Sequence, residues 1–514
     1  MILNMNDYKK KVLGCWMGKC MGGTLGAPFE CKRGVFDVNF YTQDLTKGPV
    51  PNDDLDLQLV WLNAVEKYGR NVNASILGEY WLSFIIQNWS EYGTGKNNLR
   101  MGLIPPLSGY VDNPNKDSCG CFIRSEIWAC LAPGHPEIAV RYAYEDGCVD
   151  HSNEGLYGEI FFAALQSAAF VISDKYELID IGLSYLPPDC AVAKAVGTAM
   201  ECYKSGIDWK AARKRILQEY PGSFGALDTK GEAMEPDIPV GSIGWDAPSN
   251  IGLTIMAWLY GGEDFGESLC IATRCGEDAD CTAGTLGAIL GIINGIDKIP
   301  EKWKNPVGDG IATKCINSEE HKGRMSVSVP ATVTELTDRI LRLTPSFLGG
   351  QWCDILNLGG YTVETMEPGD LKYQPEYISY WERDSFEEKL RKGPFNAEYD
   401  FVIYKAHLDY TEAPFIKAGG EKKLVLTLEN NISQQQWLEV KWHLPEGWEI
   451  TPGKKTSVSL SHRLIGKSLI EFNLKLPEVL EDSRYDLILE ITSQGRHTKG
   501  LIPVVLIHGN EVWK

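Results

Sequence analysis

Two short segments crowd carboxylates where a helix should begin. In Pro51-Asn52-Asp53-Asp54-Leu55-Asp56-Leu57, four oxygen-bearing side chains precede an amphipathic run through Val60 and Trp61. In Cys275-Gly276-Glu277-Asp278-Ala279-Asp280-Cys281-Thr282-Ala283-Gly284, an Asp-x-Asp pair precedes a run with small residues at Gly287, Gly291 and Gly295. Helix capping accounts for part of this, because an Asn or Asp at N-cap and acids in the first turn complement the helix dipole. Capping needs only one or two such groups. Adjacent Asp53 and Asp54 also repel each other, and a divalent cation would relieve that. Asp-x-Asp is a recurrent way to present oxygens to hard ions such as Mg²⁺ and Mn²⁺.

A third segment carries Gly14, Gly18, Gly22, Gly23 and Gly26 and ends in Ala27-Pro28-Phe29-Glu30. Small residues every four positions let a neighbouring helix approach closely. Glu30 stands at the mouth of a loop, where on its own it reads as a solvated acid.

These segments sit in a chain that reads as helix after helix from residue 7 to about 345. Apolar residues recur at helical spacing over 76–88, 155–172, 191–205, 249–260 and 285–295. The last helix is expected over 332–343, stopped by Thr344-Pro345. Residues 346–398 are rich in Gly, Pro, Tyr and Trp and read as an ordered connector, with a short helical piece near 385–391. From residue 399 to 514, strands dominate at 401–406, 423–428, 437–443, 469–476, 486–491 and 501–507. That count and spacing predict a small immunoglobulin-like β-sandwich. Within it, Leu444-Pro445-Glu446-Gly447-Trp448 resembles a turn of accessory modules found beside glycosidases. The exposed faces of Trp437, Trp442 and Trp448 are candidate sugar platforms, with core packing as the plainer reading. The expected class is therefore multidomain, an all-α domain followed by a β-sandwich.

Composition narrows the partners. A formal net charge of −19 disfavours sequence-independent binding to nucleic acid. The N-terminus lacks the apolar run of a signal peptide, and no stretch is long enough to span a bilayer. All 14 cysteines lie between Cys15 and Cys353 with no paired C-x-x-C pattern. They read as reduced thiols, which points to the cytoplasm. Cys119 and Cys121 form only a lone C-x-C.

Taken in order, the three segments resemble the ADP-ribosylglycohydrolase family, which includes the dinitrogenase reductase-activating glycohydrolases. Gly18-Lys19-Cys20-Met21-Gly22-Gly23-Thr24-Leu25-Gly26-Ala27-Pro28-Phe29-Glu30 is similar to that family's opening G-x-x-x-G-D-x-L-G-x-P-x-E. The stretches around Asp53-Asp54 and Asp278-Ala279-Asp280 resemble its T-D-D-T and G-G-D-T-D-T blocks. Residues 120–125, 150–155 and 299–303 also look familial.

The resemblance, over about residues 8–345, implies an all-α catalytic domain (1–345) with a central cleft. It further implies two divalent cations, Mg²⁺ or Mn²⁺, held around Asn52, Asp53, Asp54, Asp278, Asp280 and Cys281, with a single ion as the alternative that this chain's departures leave open. Glu30, Asp54 and Asp278 would be catalytic. His151, Arg124 and Asn250 are candidate substrate contacts. Three departures stand out: Asn52 and Cys281 replace threonines, and Gly23 replaces an aspartate. A thiol is a poor ligand for Mg²⁺, and Asp56 is a candidate to compensate.

The implied reaction is hydrolysis of the glycosidic bond of an ADP-ribosyl or related ribosyl conjugate, through an oxocarbenium-like state. Two alternatives stay open: a glycosidase acting on another N- or O-riboside or sugar conjugate, and a non-catalytic ADP-ribose or sugar binder. Expected partners are a small-molecule or ADP-ribosylated substrate, with neither nucleic acid nor membrane, and a homodimer among the possible assemblies.

Overall fold

The computed structural model describes residues 1–46, 48–220, 238, 244–316, 327–356, 360–374, 395–401, 403–432, 434–462, 466–495 and 499–509. The helical piece expected near 385–391 lies outside them. The chain forms two compact units, residues 1–96 with 108–380, and residues 97–107 with 381–514.

The first unit is built on one pair of helices, Met5–Gly26 and Ala279–Asn294. Gly14 meets Gly291, Gly18 meets Gly287, Gly22 meets Ala283, and Gly26 meets Ala279, so the two run antiparallel with their backbones in contact. A Cβ on Gly18 would lie 2.0 Å from the Gly287 carbonyl oxygen, and one on Gly22 would lie 2.0 Å from that of Ala283. The spacing of four therefore does what small residues allow, and it sets Glu30, just past the end of one helix, beside Asp278 at the start of the other.

Around this pair pack the helices Asp53–Tyr68, Ala74–Phe84, Pro136–Gly147, Asn153–Ala168, Ala191–Lys204 and Ala247–Gly261. The Asp53–Tyr68 helix is buried over most of its length, including Leu55, Leu57, Leu59, Val60 and Trp61, so it forms core on nearly every side. The 76–88 expectation ends early. Ile85 leaves the helix in an extended conformation and forms a bridge with Ile316.

The helix expected to stop at Pro345 instead runs Val333–Leu348, with Pro345 inside it. Proline cannot donate to the carbonyl four residues back. Here the Tyr361 hydroxyl donates to that orphaned Leu341 oxygen at 2.7 Å, so the helix continues. Tyr361→Phe is expected to lower stability by about 1 kcal/mol or somewhat more, read by denaturant unfolding. Tyr361 belongs to a small antiparallel sheet not foreseen from sequence, in which Tyr361–Glu364 lies between Ile2–Asn4 and Cys353–Ile355.

The second unit is the expected β-sandwich. One sheet has the order Lys455–Leu460, Gln436–His443, Arg484–Ser493, Lys499–His508, Phe415–Ile416, with only the last pair parallel. The other has the order Glu449–Thr451, Lys467–Lys475, Glu421–Asn430, Tyr404–Asp409, Asn396–Asp400. Alternate residues face inward: Leu424, Leu426 and Leu428 from one sheet share a core with Val440, Trp442 and Leu489 from the other. Trp442 and Trp448 are core, and only Trp437, at 54% exposure, faces solvent. Among the described residues, no helix is long and apolar enough to cross a membrane.

Candidate active site

The Asp53–Tyr68 and Ala279–Asn294 helices both begin at one cavity in the first unit. Its volume is about 390 Å³, and its lining includes Glu30, Asp53, Asp54, Asp278, Asp280 and Cys281. The two blocks start their helices differently. At the first, Asn52 is a true cap, its side-chain oxygen accepting from the Asp54 amide at 2.8 Å. At the second, Asp278 occupies the cap position but makes no side-chain capping bond. Its carboxylate is therefore left for the cavity.

A two-stranded ribbon fixes Glu30 against the second block. Lys32–Arg33 pairs with Gly276–Glu277, and the Cys31 amide donates to the Glu277 oxygen at 2.9 Å. Glu277 takes a left-handed conformation, φ 58°. Arg33 grips its carboxylate with two hydrogen bonds, of 2.7 and 2.9 Å. That buried fork offsets the backbone cost and aims the next residue, Asp278, inward.

The carboxylates crowd one another. Burial raises Glu30, and Asp53 raises it further. Burial also raises Asp54, although Lys19 opposes this. Asp278 is lifted well above the usual carboxylate range by burial and then by Glu30, and Asp280 by burial and then by Asp54. The cluster is short of positive charge. One atom shows this directly, since Asp280 Oδ1 is buried with no hydrogen-bond partner.

Two groups of ligand atoms lie within 4.8 Å of one another: Glu30 with Asp278 and Asp280, and Asp54 with Asp280 and Cys281. Hard divalent ions hold oxygens about 2.0–2.6 Å away, so ligands on opposite sides of an ion stand about 4–5 Å apart. The all-oxygen group fits such an ion. The second group fits poorly. Cys281 brings sulfur, and its thiol donates to Asp54 Oδ1 at 3.6 Å.

Several expected site residues serve other purposes. The Asn52 oxygen is engaged by the helix cap, and it is the amide nitrogen, not the oxygen, that faces Asp280 Oδ2, at 3.4 Å. A Cβ at Gly23 would lie 2.5 Å from that nitrogen. Asn52 and Gly23 are thus one matched change, the amide filling space that a side chain at 23 would need. Asp56 does not compensate either. It turns from the cavity to accept the amides of Lys314 and Cys315, both at 2.7 Å.

His151, Arg124 and Asn250 are fully buried and do not line the cavity, contrary to the expected substrate contact. Asn250 accepts from the Asp278 amide at 3.2 Å while donating to the Gly244 and Asp246 carbonyls, and so positions the second block. Arg124 pairs with Asp146 at 2.8 Å and Asp150 at 2.5 Å, and His151 meets Ser118 Oγ at 3.0 Å. Removing one member of a buried ion cluster strands the others. Arg124→Met is expected to cost about 3–5 kcal/mol in denaturant unfolding.

Sequence reasoning missed the cations and aromatics of the site. Lys19 Nζ lies 3.1 Å from Asp54 Oδ2 and 3.3 Å from Glu126 Oε1, all essentially without exposure. The Asp54 contact is an ion pair rather than an aligned hydrogen bond. Lys314 Nζ lies 2.9 Å from Asp53 Oδ1 and 5.5 Å from the Trp89 ring centre. Trp89, Tyr92 and Trp245 also line the cavity.

The ADP-ribosylglycohydrolase family profile matches residues 4–344. No curated protein matches the chain. A solved "ADP-ribosylglycohydrolase-related protein complex" shows 18% identity over 67% of this chain and 98% of that chain, with a TM-score of 0.41. That likeness is too slight to add to the fold described above. The profile spans well over half of the chain, including both aspartate blocks and Glu30, and the chain therefore belongs to the ADP-ribosylglycohydrolase family of glycosidic-bond hydrolases.

Proposed function

We propose that this chain hydrolyses the glycosidic bond of an ADP-ribosyl or closely related ribosyl conjugate, with Mg²⁺ or Mn²⁺ as cofactor. The observation that carries this reading is the meeting of Glu30, Asp53, Asp54, Asp278 and Asp280 in one cavity of about 390 Å³. That is within the size range of small-molecule sites. When bound, a divalent ion supplies positive charge to hold ribose hydroxyls and to acidify water.

The chain's own groups do the rest. Glu30, Asp278 and Asp280 would hold the cation. Asp53 and Asp54, each paired with a lysine, complete the polar wall that faces the sugar. Glu30 serves the cation in its ionised form, which burial and Asp53 disfavour in the metal-free site and a bound divalent ion would restore. Trp89, Tyr92 and Trp245 offer flat walls to a base or sugar ring.

The test is a hydrolysis panel of ADP-ribosyl-arginine, ADP-ribosyl-serine, O-acetyl-ADP-ribose and free ribosides, run with Mn²⁺ and with chelator. Turnover of at least one ADP-ribosyl compound, lost on chelation, is the expected result. Tight binding of ADP-ribose without turnover of any compound would make the chain a binder instead.

A further inference from the structure

The two aspartate blocks differ in one respect beyond their helix starts: the first already carries cations. Lys19 projects from the Met5–Gly26 helix into the space between Asp54 and Glu126, with its ammonium 3.1 and 3.3 Å from their oxygens and 3.4 Å from Thr285 Oγ1. Its side chain is 1% exposed, against 2% for Asp54. A lysine so enclosed cannot swing out to make room. The other oxygen of Asp54 receives the Cys281 thiol. Asp53 in turn is paired with Lys314, whose loop is held by Asp56. The group formed by Glu30, Asp278 and Asp280 has no ion-pair partner among the described residues, and its Asp280 Oδ1 is buried with neither a hydrogen bond nor, unlike Asp54 Oδ2, an ion pair.

We propose that this chain takes a single divalent cation, between Glu30, Asp278 and Asp280, and that the Lys19 ammonium occupies at Asp54 the place of a second cation. This rests on the metal-dependent reading above and narrows it. A fixed single charge replaces an exchangeable double one. The charge beside Asp54 then no longer depends on metal supply, and only the site facing Glu30 does. Cys281 fits the same picture. A sulfur that would serve a second hard ion poorly serves well enough as a donor to Asp54.

The test counts ions. Full-length protein is stripped with chelator, titrated with Mn²⁺ by calorimetry, and examined by electron paramagnetic resonance. One Mn²⁺ per chain with the spectrum of an isolated ion is expected. Two ions with an exchange-coupled spectrum, as for a pair about 3.5–4 Å apart, would overturn the inference while leaving the hydrolase reading intact. No binding at all would overturn both. Lys19→Met keeps the volume and removes the charge, and it is expected to gain a second, coupled Mn²⁺ site. If it folds and still binds one ion, Lys19 is not the substitute.

A second pair of variants does not depend on that one folding. Asp280→Asn is expected to weaken Mn²⁺ binding by about 100-fold or more, as loss of a ligand. Asp54→Asn should change it by no more than about 10-fold, as loss of a neighbour. Equal losses in the two would overturn the assignment.

Discussion

Replacing both Asp278 and Asp280 by Asn is expected to abolish Mn²⁺ binding and to lower hydrolysis by about 10³-fold. That figure corresponds to about 4 kcal/mol of transition-state stabilisation from the cation and the carboxylates that hold it. The same change should do the opposite to the stability of the metal-free protein. Burial, joined by Glu30 at Asp278 and by Asp54 at Asp280, raises both groups well above the usual carboxylate range. An acid raised on folding contributes stability that is fully present below its unfolded pKa, about 4, and lost as pH rises through the folded value. Chelated wild-type protein should therefore lose stability as pH climbs from about 4 toward neutrality, and the double variant should lose less. In excess Mn²⁺ the order reverses, because only the wild type gains stability from binding. Thermal unfolding at several pH values, with and without metal, reads all of this. A variant equally destabilised under every condition would mean that these aspartates are merely structural.

A large loss of stability, with a still larger loss of activity, is expected from the glycine seam. Gly18→Val and Gly22→Val each put a branched side chain where a single Cβ would already lie 2.0 Å from a backbone oxygen of the partner helix. A flexible side chain could yield, but a helix backbone cannot. Each variant should cost at least about 3 kcal/mol, at or beyond the top of the usual range for overpacking. The effect on activity should exceed the effect on folding. Even in variant protein that remains folded, separating the helices draws Glu30 away from Asp278 and Asp280. Gly197 is the control. It is exposed within Ala191–Lys204, and a Cβ there would meet nothing within 4 Å. Gly197→Ala should stabilise by up to about 1 kcal/mol. Equal effects at Gly18 and Gly197 in denaturant unfolding would mean that the close approach is not what holds the pair.

How much of this was legible beforehand varies with the physics involved. Long helices announced themselves because burial imposes a period that residues such as Ile160, Phe161, Ala164 and Leu165 display. The sandwich strands did so for the same reason at a period of two. Strands of two or three residues, such as Lys32–Arg33 with Gly276–Glu277, are too short to carry a period, and that ribbon is the one that sets Glu30. The glycine spacing foretold a close helix neighbour but not its identity, since any small-residue stripe would serve. Pro345 reads as a stop because the residue that rescues its helix, Tyr361, is remote in sequence.

Polar residues behave similarly. Asp53, Asp54, Asp278 and Asp280 were recognisable as a set because acids side by side are costly without a partner. Arg124, His151 and Asn250 look the same in sequence whether they face the cavity or stand behind its wall, and they stand behind it. Lys19 lay inside the glycine segment without any pattern to mark it, because the aspartate it faces is brought by a different helix. Lys314 is placed by backbone bonds to Asp56, which leave no trace in the side-chain pattern.

The most direct test is a crystal grown with Mn²⁺ and measured at the manganese absorption edge. An anomalous peak bounded by the carboxylates of Glu30, Asp278 and Asp280 is the predicted result. Density elsewhere on the molecule, with none in this cavity at saturating Mn²⁺, would contradict it.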